Sequence, residues 1–211
     1  MGKDMTMADH YYTAQPESKH KPGLVTYTYR EEALRFETDS GVFSRTEIDK
    51  GTDILLRALP ESLAGDVLDM GCGYGVIGVS VGKHWPNTRI TMADVNERAC
   101  GLSQQNAKKN GVAAQVIVSD GYEKVLGNQY DLILQNPPIR AGKAVIYQMF
   151  ADAATCLRDG GQLWLVIRKQ QGAPSALTYL RTLYGQAEVV EKEAGYWIIC
   201  CESPLAQEEH Q

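Results

Sequence analysis

Residues 67–75, Val-Leu-Asp-Met-Gly-Cys-Gly-Tyr-Gly, constrain the fold more than any other stretch of the chain. A short apolar run ends in Asp69, three glycines alternate with side chains, and the apolar residues Val76, Ile77, Val79 and Val81 follow. That order predicts a buried strand, a tight loop and the start of a helix. Glycines at such a turn let the backbone approach a ligand closely, because no Cβ intervenes. The loop is therefore expected to seat a small molecule. Gly73, Gly75 and Gly78 also satisfy the dinucleotide pattern G-x-G-x-x-G, so this stretch alone admits a nicotinamide cofactor as well.

The chain beyond the loop narrows the choice. Short apolar runs predict strands at 66–70, 89–93, 115–119, 130–135 and 162–168, with helices between them. One helix is bounded by Asn96 as N-cap and Asn110-Gly111 as a left-handed C-cap. The next places Val145, Ile146, Met149, Phe150, Ala153, Ala154 and Leu157 on one apolar face and stops at Asp159-Gly160-Gly161. Another starts near Pro174. Alternation of this kind predicts a parallel sheet with right-handed crossovers and a ligand at the carboxyl ends of the strands. At the end, 187–190 and 196–201 are strand-like runs joined by Glu193-Ala194-Gly195, too close for a helix, so they must form a hairpin. A seven-stranded sheet finished by such a hairpin counts against the dinucleotide reading.

Upstream, residues 1–23 are polar and hold Pro16 and Pro22, with an aromatic His10-Tyr11-Tyr12 among them. Alternation over 24–30 and again over 34–37 suggests a hairpin, and a helix is expected from about Gly51 to Leu59, stopped before Pro60. At 211 residues the chain suits one domain with an N-terminal arm: arm and hairpin at 1–45, the main domain at 46–204 and an acidic tail at 205–211. Its apolar runs are too short to span a bilayer and Met1–His10 lacks the core of a secretory signal, so a cytoplasmic protein away from membranes is expected. The five cysteines contain no C-x-x-C and fall in apolar stretches, as reduced thiols do. The four histidines show no zinc spacing, and no metal is expected.

The net charge of −5 argues against nucleic acid until its location is considered. Residues 182–211 carry six glutamates against Lys192 alone, so the first 181 residues are neutral overall. Within them lie the basic groups Lys19-His20-Lys21, Lys108-Lys109, Arg140 with Lys143, and Arg168-Lys169. A basic patch is compatible with this distribution.

Asp69, Asp94 and Asp120 close successive strands, 25 and 26 residues apart. Three acids at neighbouring strand tips could accept hydrogen bonds from the amine, ribose hydroxyls and adenine amine of one ligand. The fourth tip reads Asn136-Pro137-Pro138-Ile139. Two prolines forbid helix continuation and remove two backbone donors. The Asn136 side-chain oxygen and the Pro137 carbonyl then suit a planar amino group with two N–H bonds to hold.

Together, Asp69-x-Gly71-x-Gly73-x-Gly75, Asp94, Asp120 and Asn136-Pro137-Pro138 resemble class I S-adenosylmethionine-dependent methyltransferases that modify nitrogen on planar groups. Gly41-Val42-Phe43-Ser44, Asp49-Lys50-Gly51, residues 136–143 and Arg168-Lys169 extend the resemblance to the small-methyltransferase domain of bacterial 16S-type rRNA guanine-N2 methyltransferases. The resemblance implies a Rossmann-like α/β fold: a mostly parallel seven-stranded sheet in order 3-2-1-4-5-7-6, strand 7 antiparallel, with helices on both faces. It implies S-adenosylmethionine held by Asp69, Gly71, Cys72, Gly73, Asp94 with Val95, Asp120 with Gly121, and Asn136. Asn136 and Pro137 would be catalytic, while Phe43, Pro138, Ile139, Arg140 and Lys143 would meet the substrate, ribosomal RNA or the small ribosomal subunit. Where this pattern commonly has an aromatic residue after the prolines, the chain has Ile139, which moves the expected stacking surface to Phe43 or Tyr12. Larger family members carry a second, degenerate domain before the active one, and here a short arm stands in that place.

The expected chemistry is an in-line transfer of a methyl group from the sulfonium to guanine N2, with positioning rather than base catalysis as the protein's contribution. The alternatives are a protein glutamine-N5 methyltransferase, a non-catalytic S-adenosylmethionine-binding module of ribosome assembly, and the nicotinamide oxidoreductase.

Overall fold

A computed structural model describes residues 19–205. Tyr12 and the acidic tail beyond Leu205 lie outside the described residues. The elements run β1 (Gly23–Tyr29), β2 (Glu32–Thr38), α1 (Lys50–Ala58), β3 (Gly65–Met70), α2 (Val76–His84), β4 (Thr88–Asp94), α3 (Glu97–Lys109), β5 (Ala114–Val118) and β6 (Tyr130–Gln135). They continue through α4 (Lys143–Thr155), β7 (Leu157–Arg168), α5 (Ala173–Leu183), β8 (Tyr184–Glu193) and β9 (Tyr196–Pro204).

Seven strands form one sheet in the order β5-β4-β3-β6-β7-β9-β8. Counted within the sheet, this is the expected 3-2-1-4-5-7-6. β3 pairs in parallel with β4 and β6, whereas β9 runs antiparallel between β7 and β8. The central strands are apolar on both faces because both are covered, as parallel sheets require. Val67, Leu132, Leu134 and Trp164 join one core cluster with Ile54, Leu55 and Leu56 of α1 and the hairpin residues Tyr29 and Phe36. Their neighbours Leu68, Ile133, Leu163 and Leu165 join the other, with Phe150 of α4 and Leu180 of α5. All five cysteines are free and buried. No helix among the described residues is long and apolar enough to cross a membrane.

Two boundaries differ from the expectation. Leu157 does not continue the apolar face of α4; it opens β7, where it pairs with Tyr130. The pairing then skips to Leu132 with Gln162. Asp159-Gly160-Gly161 is the irregularity that absorbs the skip: Gly160 has φ 76°, and a Cβ on Gly161 would stand 3.0 Å from two backbone carbonyls. α5 leads directly into β8, which starts at Tyr184, earlier than its apolar run suggested.

The small hairpin β1–β2 packs on the body. Tyr29 donates to the Leu56 carbonyl at 2.8 Å, and Asn106 of α3 bonds both backbone groups of Glu37, at 2.7 and 2.9 Å. Phe36 meets Tyr74 of the glycine loop edge to face. Burying Tyr29 and Phe36 is worth about 1.5–3 kcal/mol per side chain. The hairpin thereby holds residues 39–49 over the strand tips.

Candidate active site

The glycine loop is built from backbone bonds that leave one side open. Gly71, Gly73 and Gly75 have φ of 75°, 54° and 92°, a region costly for other residues. Gly71 and Cys72 donate to the Ala93 carbonyl at 2.8 and 3.0 Å, and Gly73 donates to Asp94 Oδ2 at 2.9 Å. Ser103 Oγ donates to the Gly73 carbonyl at 2.7 Å. A Cβ placed on Gly71 or Gly73 would meet no protein atom, whereas one on Gly78 would lie 2.7 Å from Met92. The first two therefore face free space and the third packs against β4.

That space is a cavity of about 350 Å³ over the tips of β3, β4, β5 and β6. Among the residues expected at the site, it is lined by Phe43, Gly71, Cys72, Gly73, Asp94, Val95, Asp120, Gly121, Asn136, Pro137 and Pro138. The four tips converge as the register requires.

The half-buried Asp94 accepts from Gly73 and Asn96 backbone nitrogens, both at 2.9 Å, and burial raises its pKa. Each of its oxygens keeps a lone pair for a further donor. Exposed Asp120 follows Ser119, whose hydroxyl donates to the Gly121 carbonyl at 2.9 Å and shapes the turn.

Four expected site residues stand away from the cavity wall. Asp69 is fully buried beneath the loop, where its Oδ2 accepts from Gly78 N at 2.8 Å and so satisfies a first-turn nitrogen of α2. Its Oδ1 has no partner, and burial first, with the nearby Asp94 adding to it, pushes its pKa up to about 7. Ile139 packs on the second core cluster. Arg140 and Lys143 are exposed beyond the rim, the Lys143 ammonium 4.9 Å from the Tyr147 ring.

Beside Phe43, which the sequence placed at the substrate, residues to which it assigned no site role complete the wall. Val145 was expected on the buried face of α4, yet it is 48% exposed because that part of the face borders the cavity. Phe43 is 52% exposed and stands at the same mouth. Asp49 and Thr52, at the start of α1, also line it. Asn136 donates through Nδ2 to Asp49 Oδ2 at 2.9 Å and to Thr52 Oγ1 at 3.0 Å. The Asn136 oxygen is left as the acceptor. The signal for Asp49 was its place as an N-cap before Gly51-Thr52, but nothing local tied it to a residue 87 positions away.

Residues 33–200 match the model of the methyltransferase small domain. The chain is 42% identical to Uncharacterized protein YbxB of Bacillus subtilis, over 92% of this chain and 98% of that one. It is 40% identical to ribosomal RNA small subunit methyltransferase C of Pasteurella multocida over 63% of this chain and 42% of that protein, so it spans about two fifths of that relative's length. In structure it resembles the Thermus thermophilus 16S rRNA N2 G1207 methyltransferase in complex with AdoMet and guanosine. That likeness has a TM-score of 0.79 at 24% identity, over 89% of this chain and 52% of the other, and concerns the fold. With four fifths of its length matched by one family model, the chain belongs to the methyltransferase small domain family.

Proposed function

We propose that the protein transfers a methyl group from S-adenosylmethionine to an exocyclic amine, guanine N2 of small-subunit ribosomal RNA. The carrying observation is that one cavity joins an open glycine loop flanked by Asp94 and Asp120 to an Asn136 whose amide hydrogens are already taken. The residues fit the cofactor. Gly71 and Gly73 leave room for its methionine part, the lone pairs of Asp94 suit ribose hydroxyls, and Asp120 and Gly121 border the place of the adenine. When bound, it supplies a methyl group already activated on a sulfonium.

The protein's part is then positioning. A guanine amine delocalises its lone pair into the ring, and Asn136 Oδ1 with the Pro137 carbonyl would hold both its N–H bonds and aim the nitrogen at the methyl group. A base must be unstacked to enter such a cleft. Phe43, exposed at the mouth, offers the stacking surface that Ile139 does not. Arg140, Lys143, Arg168 and Lys169 are exposed at or just beyond the carboxyl ends of β6 and β7, where they would meet RNA phosphates. The names of the relatives that cover part of the chain favour ribosomal RNA over a protein acceptor.

Mass mapping of methylated nucleotides in rRNA from cells with and without the protein tests this reading. One N2-methylguanosine missing from the small subunit is the expected result; an unchanged methylation map would refute it.

A further inference from the structure

Asn136 is not free to choose which end of its amide it presents. Both hydrogens of Nδ2 are directed at α1, to Asp49 Oδ2 and Thr52 Oγ1. Asp49 is itself fixed, because the same Oδ2 accepts the Thr52 backbone N–H at 2.9 Å as the N-cap of the helix. The surroundings are tight: a Cβ on Gly51 would lie 3.0 Å from that oxygen and 2.9 Å from Tyr196 Cε1. A carboxylate has no proton to give, so turning the amide over would set two acceptor oxygens against each other.

We propose that Asp49 is a positioning residue that, with Thr52, locks the Asn136 amide so that it presents only its acceptor oxygen to the cavity. This rests on the reading that Asn136 receives the target amine. The lock gives the site a polarity: it favours an –NH2 group over a carbonyl or ring acceptor, whatever the shape of the base. It also links the start of α1, which the hairpin helps to hold, to the fourth strand tip.

Three variants test the lock. Asp49→Ser keeps a good helix cap, but its shorter side chain withdraws the oxygen that Asn136 Nδ2 donates to and frees the amide to turn its nitrogen toward the substrate. The expected result on rRNA from cells lacking the protein is a kcat lowered roughly 100-fold, the order for a misplaced acceptor, with cofactor affinity and melting temperature unchanged. Thr52→Val removes one of the two acceptors and should give a smaller loss in kcat. In the double variant Asp49→Ser with Asn136→Asp, both oxygens of the new carboxylate are acceptors, so one faces the cavity whichever way the group turns and about tenfold of the lost rate should return. A structural role alone predicts no such rescue. A kcat for Asp49→Ser within twofold of wild type, or no recovery in the double variant, overturns the proposal.

Wild-type protein that methylates no RNA would instead sink the proposed function. The lock would still be decided by the side-chain amide resonances of Asn136, expected to exchange slowly in the wild type and rapidly in Asp49→Ser. Fast exchange in the wild type overturns it.

Discussion

At the amino-terminal ends of β3, β4, β6 and β7 stand Asp66, Arg89, Asp131 and Arg158, and they are joined to one another. Arg89 grips Asp66 with two bonds at 2.6 and 2.7 Å, and Arg158 bridges Asp66 and Asp131, both at 2.6 Å. Asp131 also accepts from the Asp66 backbone nitrogen at 2.6 Å. At the carboxyl-terminal ends of the sheet stand Asp94, Asp120 and Asn136, and among the described residues no lysine or arginine pairs with either acid. One end has its charges matched within the chain. The other keeps hydrogen-bonding capacity open toward a cavity, which is how a binding site differs from a structural pole.

The sharpest way to break this contrast is at Asn136. Asn136→Ala should lower methyl transfer about 100- to 1,000-fold, the scale for removing one preorganised polar group. Binding of S-adenosylmethionine, measured by calorimetry, should change less than threefold, and the melting temperature should hold. A comparable loss of cofactor binding would mean that the two halves of the cavity are not separate tasks. Phe43→Ala should raise KM for RNA about tenfold, the worth of one stacked base, with little effect on stability because the ring is already half exposed.

The acids give opposite pH effects, which sharpen the comparison. Asp69, whose pKa is pushed up to about 7 by burial, binds its proton more tightly in the folded chain than in the unfolded one. Its contribution is therefore present at low pH and lost as pH rises from about 4 to about 7. Asp69→Asn should flatten that part of the melting-temperature profile and make the protein more stable than wild type at pH 8. Asp66 is held down to about 2, chiefly by the Arg89 hydrogen bonds, with Arg158 adding to the effect. What it contributes is present above about pH 4 and lost as pH falls toward 2. The smallest effect is expected from Arg158→Ala: a slight destabilisation at pH 7, as partly exposed ion pairs give, vanishing near pH 2 in a thermal melt, with methylation unchanged.

How much of this was legible depends on whether the signal was local. The glycine loop, the strand rhythm and the two terminal hairpins were readable because turns and apolar periods act over a few residues. The sheet order came with the family resemblance, not with the periodicity. Asp69 looked like the first of three ligand acids by its spacing. Its carboxylate instead satisfies a backbone nitrogen at the start of α2, and an acid that caps from below has the same sequence pattern as one that binds from above. Val145 fitted a buried helix face because a cavity wall and a core both call for apolar residues. Leu157 continued the helical period, and only pairing with Tyr130 drew it into a strand. The Asp49–Asn136 contact joins residues 87 apart, and no window along the chain contains both.

Whether donor and acceptor meet in one cavity will be seen in a structure with S-adenosylhomocysteine and guanosine bound. The thioether is expected beside Gly71 and Gly73, the ribose on Asp94, and guanine N2 within about 3 to 3.5 Å of Asn136 Oδ1 and in line with the sulfur. Guanosine bound elsewhere, or Asn136 turned so that its nitrogen faces the ligand, would contradict it.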